Sequence, residues 1–271
     1  MTEQQGWASI NSAAQWIEPP PAWQVVILAA GRGTRFEGPL PKLLAPVRRG
    51  RGRGRGMLEL LLRSLLEDLQ LPADQLTVVV AGTAAAAIEA MVQGLEAPIQ
   101  LRRVAGSGSC GPLHSLVAAL QEWPPASPPC WVLHGDTHYP SGVLECLLAQ
   151  PLTHTPLLLV EPVANQQRAV EVGVQLDAAG RVIALGPGVG QPWPWRMLPA
   201  VAWPAELGPV LSAACRDPAR RGWSQWQLLH ALLQEQRPPT FQALKLQTSG
   251  IFDVDTLDAW IQARQQLQPL S

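Results

Sequence analysis

The chain has little charge for its length, no closely spaced cysteine pair and no long hydrophobic run. Charged residues fill 15% of its 271 positions and the formal net charge is −1, so no overall basic field draws it to nucleic acid or anionic lipid. Its four cysteines, Cys110, Cys130, Cys146 and Cys215, show no Cys-x-x-Cys spacing, and they read as free thiols in a reducing compartment. Apolar stretches are broken within about ten residues by Gly, Glu or Pro, too short to cross a bilayer. The N-terminal residues lack a basic segment followed by an apolar run. The expectation is a soluble, cytoplasmic protein with no membrane partner.

Apolar residues, by contrast, make up 47% of the sequence, enough to bury a core of one sizeable domain. Residues 1–22 stand apart from it. Trp7, Ile10, Ala14 and Ile17 recur at helical spacing and are followed by EPPPAW, where successive prolines forbid more helix. This predicts an amphipathic extension on a Pro-rich tether that packs on the domain surface or joins two copies of the chain in a homodimer. The remainder, 23–271, reads as a single domain.

From Gln24 onward, short β-branched runs alternate with longer helical periods. QVVILAA, LTVVVA, IQLRRV and CWVLHGD are predicted strands; MLELLLRSLLEDLQ, TAAAAIEAMVQ, PLHSLVAALQEW and SGVLECLLAQ are predicted helices. PKLLAPV reads as a further strand. Continuous apolar strands separated by helices indicate parallel βαβ units covered on both faces. The fold class is α/β, a Rossmann-like, mostly parallel sheet flanked by helices. AVEVGVQLDAAGRVIAL then reads as a hairpin turning at Asp177 to Gly180. With the loop GPGVGQPWPWR it forms an expected insertion on the acceptor side. Two helical stretches follow, the second from Trp223 to Gln236 with one face against the sheet. FQALKL is a strand, and Asp255 or Thr256 caps a last helix.

Three stretches carry the chemistry. In LAAGRGTR (28–35) a strand passes directly into a glycine-rich turn, whose backbone N–H groups can approach a phosphate or a base edge. It matches neither the dinucleotide fingerprint, since Phe36 stands where a third glycine belongs, nor the Walker-type loop. The longer stretch LAAGRGTRFEGPLPKLLAPV resembles the LAAGxGTR and PKxLxPV signature of nucleotidyltransferases of the sugar-phosphate and cytidylyltransferase type. That resemblance implies a nucleotidyltransferase fold related to the GT-A glycosyltransferases. It also implies that Leu28, Ala29, Ala30, Gly31, Gly33 and Thr34 wrap a nucleoside triphosphate, with Arg35 and Lys42 as catalytic cations on its oxygens. A planar guanidinium and a compact ammonium suit that task.

CWVLHGDTHYP presents Asp136 at the C-terminal end of an apolar strand, where parallel sheets open a ligand crevice. In the resembled family this aspartate holds Mg²⁺, a hard ion suited to carboxylate oxygen. The flanking His134 and His138 read as packing or substrate-side residues, or as part of a transition-metal cluster. IFDVDTLDAW resembles the family's closing motif, which makes Asp253 the second metal ligand, with Asp255 and Thr256 left for capping. GSGSCGPLHSLVAAL resembles the segment whose glycine turn, here Gly111, contacts the base, in a form closer to molybdopterin-type members. Leu185-Gly186-Pro187 departs from the Glu-Lys-Pro context usual for hexose 1-phosphate enzymes. Trp193 and Trp195 are candidates for acceptor binding by stacking or cation–π attraction, or anchors for their loop.

RRGRGRGRG (48–56) holds five of the twenty basic residues; without them fifteen face twenty-one acidic ones, a formal −6. It offers no apolar face and no interleaved aromatics to stack on bases, and reads first as an expanded solvated loop, with electrostatic help for incoming anionic substrates or RNA binding as the alternatives. The expected reaction is transfer of a nucleotidyl group from an NTP to a phosphorylated small molecule, with Mg²⁺ as cofactor. The alternatives are a metal-dependent glycosyltransferase, since Asp-Val-Asp is also a DxD, and a non-catalytic nucleotide-binding or regulatory protein on the same fold.

Overall fold

The computed structural model describes residues 23–31, 36, 38, 40–47, 54–104, 112–120, 128–152, 154–163, 172–189, 192–220, 222–235, 240–247 and 250–267. The N-terminal extension, Gly33, Thr34, Arg35, Gly111 and the arginines at 48, 49, 51 and 53 lie outside these residues.

The first half alternates as its periodicity predicts. After strand β1 (Gln24–Ala29) come a 3₁₀ turn at Lys42–Leu44 and α1 (Met57–Arg63), which continues as one wider π turn over Ser64–Asp68. Then follow β2 (Leu76–Val80), α2 (Ala85–Gln93), β3 (Gln100–Arg103), α3 (Pro112–Leu120) and β4 (Cys130–His134). β1 pairs in parallel with β2 and β4, and β2 with β3. Side chains of β1 alternate between two cores. Val25, Ile27 and Ala29 meet Leu58, Leu62 and Ile88 on one face, while Val26 and Leu28 meet Leu113, Leu116 and Val132 on the other. Strands covered on both faces must be apolar throughout, which is why these runs show no polar alternation.

The second half adds β5 (Thr137–His138), α4 (Ser141–Leu148), β6 (Leu157–Pro162), β7 (Val172–Leu176), β8 (Val182–Pro187), β9 (Trp195–Trp203), α5 (Gly208–Arg216), α6 (Gln225–Gln234), β10 (Gln242–Lys245), β11 (Phe252–Asp253) and α7 (Leu257–Gln266). The main sheet runs β10-β6-β9-β4-β1-β2-β3, with β7 paired to β8 and β9 at one side. β9 is antiparallel to both β4 and β6, and β7 is antiparallel to β8 and β9, so the sheet is mixed, with parallel pairs in β4-β1-β2-β3 and in β6-β10. The hairpin turn forms as expected: Gly180 has φ +80°, and Asp177 Oδ1 accepts from the N–H groups of Ala179 and Arg181, each at 2.9 Å.

The expected strand at PKLLAPV is not one. Lys42–Leu44 forms a 3₁₀ turn closed by Leu44 N–H to Pro41 O at 2.8 Å. Pro41 and Pro46 have no N–H to give a sheet ladder, which favours the turn. Beyond it, Val47 N–H bonds Arg55 O at 2.9 Å.

Two tryptophans fill the sheet's faces. Trp131 is buried in one core with Nε1 donating to Leu147 O at 2.9 Å, and Trp203 in the other with Nε1 donating to Gln225 Oε1 at 3.3 Å. Satisfying each indole N–H lets such large rings be buried without a polar penalty, and truncating either to alanine costs about 3–5 kcal/mol. Among the described residues no helix is long and apolar enough to cross a membrane.

Candidate active site

The site lies at the C-terminal edge of β1 and β4, where the first two motifs meet. Gly135 N–H bonds Leu28 O at 3.0 Å, drawing the end of β4 against the start of the glycine-rich turn. A Cβ at Gly135 would lie 3.2 Å from that carbonyl and 3.3 Å from Leu58 Cδ1, so the close approach needs glycine. The side chains of Leu28 and Ala29 are buried in the cores, and what these residues offer a ligand is backbone. Gly31 is exposed with nothing near its missing Cβ.

The Lys42 turn packs on the opposite side. Gly56, just before α1, sits so close that a Cβ there would be 2.5 Å from Leu43 O, which locks the turn to the helix start. The Lys42 side chain, only 9% exposed, reaches Asp136 Oδ2 at 2.5 Å and also pairs with Asp255. Burial alone would favour a neutral amine, but the two carboxylates outweigh it and hold the ammonium above its ordinary range. Burial likewise pushes Asp136 up, and Lys42, aided by His134, brings it below the usual carboxylate value.

The C-terminal motif reaches the same place through a two-stranded ribbon. β11 pairs antiparallel with β5, Asp253 opposite Thr137 and Phe252 opposite His138, and Val254 N–H bonds Asp136 O at 3.0 Å. Asp253 accepts a hydrogen bond from the Thr137 hydroxyl. Burial, and the nearby carboxylates of Asp136 and Asp255, hold its pKa above the ordinary carboxylate value against that bond. All-oxygen donors from two aspartates, with room for phosphate and water, fit Mg²⁺.

The two histidines part company: His138 packs on the Phe252 ring, centroids 4.9 Å apart, whereas His134 faces a cavity. Among the described residues no three His, Cys, Asp or Glu side chains are grouped as a metal site.

That cavity, about 350 Å³, opens beside Asp253 and Asp255 and is lined by Arg196, Gln225, Trp226 and Gln262 among others. Arg196 is paired with Glu161 at 2.5 Å from Nε. Trp193 and Trp195 lie elsewhere. Trp193 covers the hairpin, where a Cβ at Gly173 would overlap its ring, and its Nε1 donates to Pro187 O at 3.1 Å. Trp195 packs on the second core with Lys245 Nζ 5.4 Å from its ring centre.

Residues 25–236 match the MobA-like NTP transferase domain. The chain belongs to the MobA-like NTP transferase family. No curated protein sequence matches it significantly, but solved structures share its fold over nearly the whole length. The inositol-1-phosphate CTP transferase of T. maritima is 13% identical, with a TM-score of 0.70 over 92% of this chain and 97% of that one. CTP:phosphocholine cytidylyltransferase from Streptococcus pneumoniae is 14% identical, with a TM-score of 0.69 over 91% and 100%. UDP-glucose pyrophosphorylase is 12% identical, with a TM-score of 0.66 over 91% and 98%.

In this MobA-like nucleotidyltransferase the matched span stops before β10, β11 and α7, yet β11 brings Asp253 and Asp255 beside Lys42 and Asp136. The sequence offers Asp255 or Thr256 as the helix cap and gives Asp255 no other role. The cap is Thr256, whose Oγ1 accepts from Ala259 N–H at 3.1 Å, and Asp255 turns to Lys42. The signal was in the motif: one helix needs one capping side chain, and Asp-Thr supplies two.

Proposed function

We propose that this nucleotidyltransferase moves a nucleoside monophosphate from an NTP to a phosphorylated small molecule, a sugar 1-phosphate or a phosphoalcohol, and releases pyrophosphate. The observation that carries the reading is Lys42 Nζ, 2.5 Å from Asp136 at the edge where the glycine-rich turn leaves β1. Three motifs separated in sequence converge there. In the reaction, a phosphate oxygen of the acceptor forms a bond to the α-phosphorus in line with the departing pyrophosphate oxygen, whose bond breaks. That nucleophile is already ionised, so positioning and charge neutralisation carry the catalysis. Arg35 and Lys42 neutralise charge on the phosphate oxygens, and the turn at 28–34, with Gly111, holds the nucleotide. Asp136 and Asp253 would hold Mg²⁺, which would supply further charge neutralisation for the phosphates. The cavity beside Asp253 takes the body of the acceptor. Similar folds serve inositol 1-phosphate in one relative and phosphocholine in another, and both acceptor classes suit this reading.

The test is pyrophosphate release with Mg²⁺, across the four NTPs against hexose 1-phosphates, inositol 1-phosphate, phosphocholine and related phosphoalcohols. Release that depends on both an NTP and one acceptor class is the expected result. Nucleotide bound without release for any pair contradicts it.

A further inference from the structure

The segment Asp253-Val254-Asp255-Thr256 divides its labour residue by residue. Asp253 accepts from Thr137. Val254, fully buried with Val47, Met57 and Ala263, anchors the ribbon. Thr256 caps α7. Asp255, with its side chain 28% exposed, pairs with the Lys42 ammonium, whose side chain is 9% exposed. Because Val254 points into the core, the aspartates on either side of it face the site together, a period-two pattern continued from β11.

We infer that Asp255 is the positioning residue of Lys42, holding its ammonium at the reaction centre while Asp136 is committed to the metal. The inference rests on the proposed reaction and adds a role to it. In the structure Lys42 has two carboxylate partners. Once Asp136 gives its charge to a divalent cation, a nearly buried ammonium beside that cation is repelled by it and poorly solvated. Without a fixed carboxylate partner it would be held only by the substrate oxygens it has to neutralise, and it would no longer be in place before they arrive. Asp255 prevents this: it reaches Lys42 from the α7 side, and the Val254 anchor and Thr256 cap on either side of it fix its backbone. The Lys42 end is equally fixed by the 3₁₀ turn against Gly56. Two rigid supports around one flexible lysine are what orientation at a reacting centre requires.

Two independent readouts test this. Lys245 is the chain's other lysine, so acetylation of the metal-free protein, read by mass spectrometry, has an internal control. In Asp255→Asn, Lys42 is expected to react several-fold faster while Lys245 keeps its wild-type rate. In turnover, Asp255→Asn is expected to lower kcat about 10-fold or more, with the KM for NTP and the half-saturating Mg²⁺ concentration unchanged. Asp255→Glu recovers part of the loss, and in a Lys42→Met background Asp255→Asn costs nothing further. Unchanged Lys42 reactivity overturns the inference whether or not the enzyme turns over. So does a raised Mg²⁺ requirement with unchanged reactivity, which would make Asp255 a metal ligand instead. If wild-type protein releases no pyrophosphate, the proposed reaction fails, and the labelling result still decides the pairing.

Discussion

Lys42 Nζ lies 2.5 Å from Asp136 Oδ2, the contact through which the PK turn and the β4 aspartate become one site. Each residue sets the other's charge state: Lys42 keeps Asp136 ionised below the usual carboxylate range, and Asp136 keeps Lys42 protonated despite its burial. The pair is therefore a charged ammonium beside a charged carboxylate, the state that the proposed reaction needs of both.

The Lys42 turn depends on a missing methyl group. In Gly56→Ala the new Cβ would meet Leu43 O at 2.5 Å, and either the turn or the start of α1 must shift. We expect a stability loss of about 1–3 kcal/mol together with a fall in kcat of about 10-fold or more, because ångström-scale misplacement of a catalytic group is costly. Denaturant unfolding and steady-state kinetics on the same variant measure the two effects.

Asp253 predicts a trade between stability and activity. Its folded-state pKa is raised, mainly by burial and the neighbouring carboxylates, so the fold favours its protonated form. The associated stability is fully present below the unfolded carboxylate pKa of about 3.9 and is lost as pH rises through the folded value. Asp253→Asn, which retains an acceptor for the Thr137 hydroxyl, should raise the melting temperature of the metal-free protein by a few degrees at pH 7. The gain should vanish below about pH 4, and turnover should fall by at least ~10²-fold. Thermal melts across pH, paired with pyrophosphate assays, give both answers.

Much of this was legible in the sequence. The β-branched runs and the LAAG and GD motifs marked the strands and their edge because buried parallel strands and the glycines at their ends leave local signatures. β9 was harder. Its proline-flanked MLPAVAWP gives no local hint that it will run antiparallel between β4 and β6, a choice made by which sheet edges are open. The 3₁₀ turn at Lys42 was misread because apolar residues around a proline suit a strand and a buried turn equally well. The Asp255 pairing with Lys42 depends on tertiary structure alone, since it needs the ribbon of β11 on β5.

Acceptor binding should follow the cavity rather than tryptophan count. Trp226 lines the space beside Asp253, whereas Trp193 covers the hairpin glycines. We expect Trp226→Ala to raise the acceptor KM about 10-fold, with the NTP KM unchanged. Trp193→Ala should leave both constants near wild type and lower the melting temperature. Steady-state kinetics with the acceptor varied at saturating NTP, alongside a thermal melt, separates the two.

The measurement closest to the central claim follows the α-phosphorus. With α-³²P-labelled NTP, Mg²⁺ and the productive acceptor, the label should appear joined to the acceptor while unlabelled pyrophosphate is released. Lys42→Ala and Asp136→Ala should slow this by at least ~10²-fold in proteins that still melt cooperatively. Label remaining in the nucleotide while another group reaches the acceptor, or near-full transfer in either variant, would contradict the account.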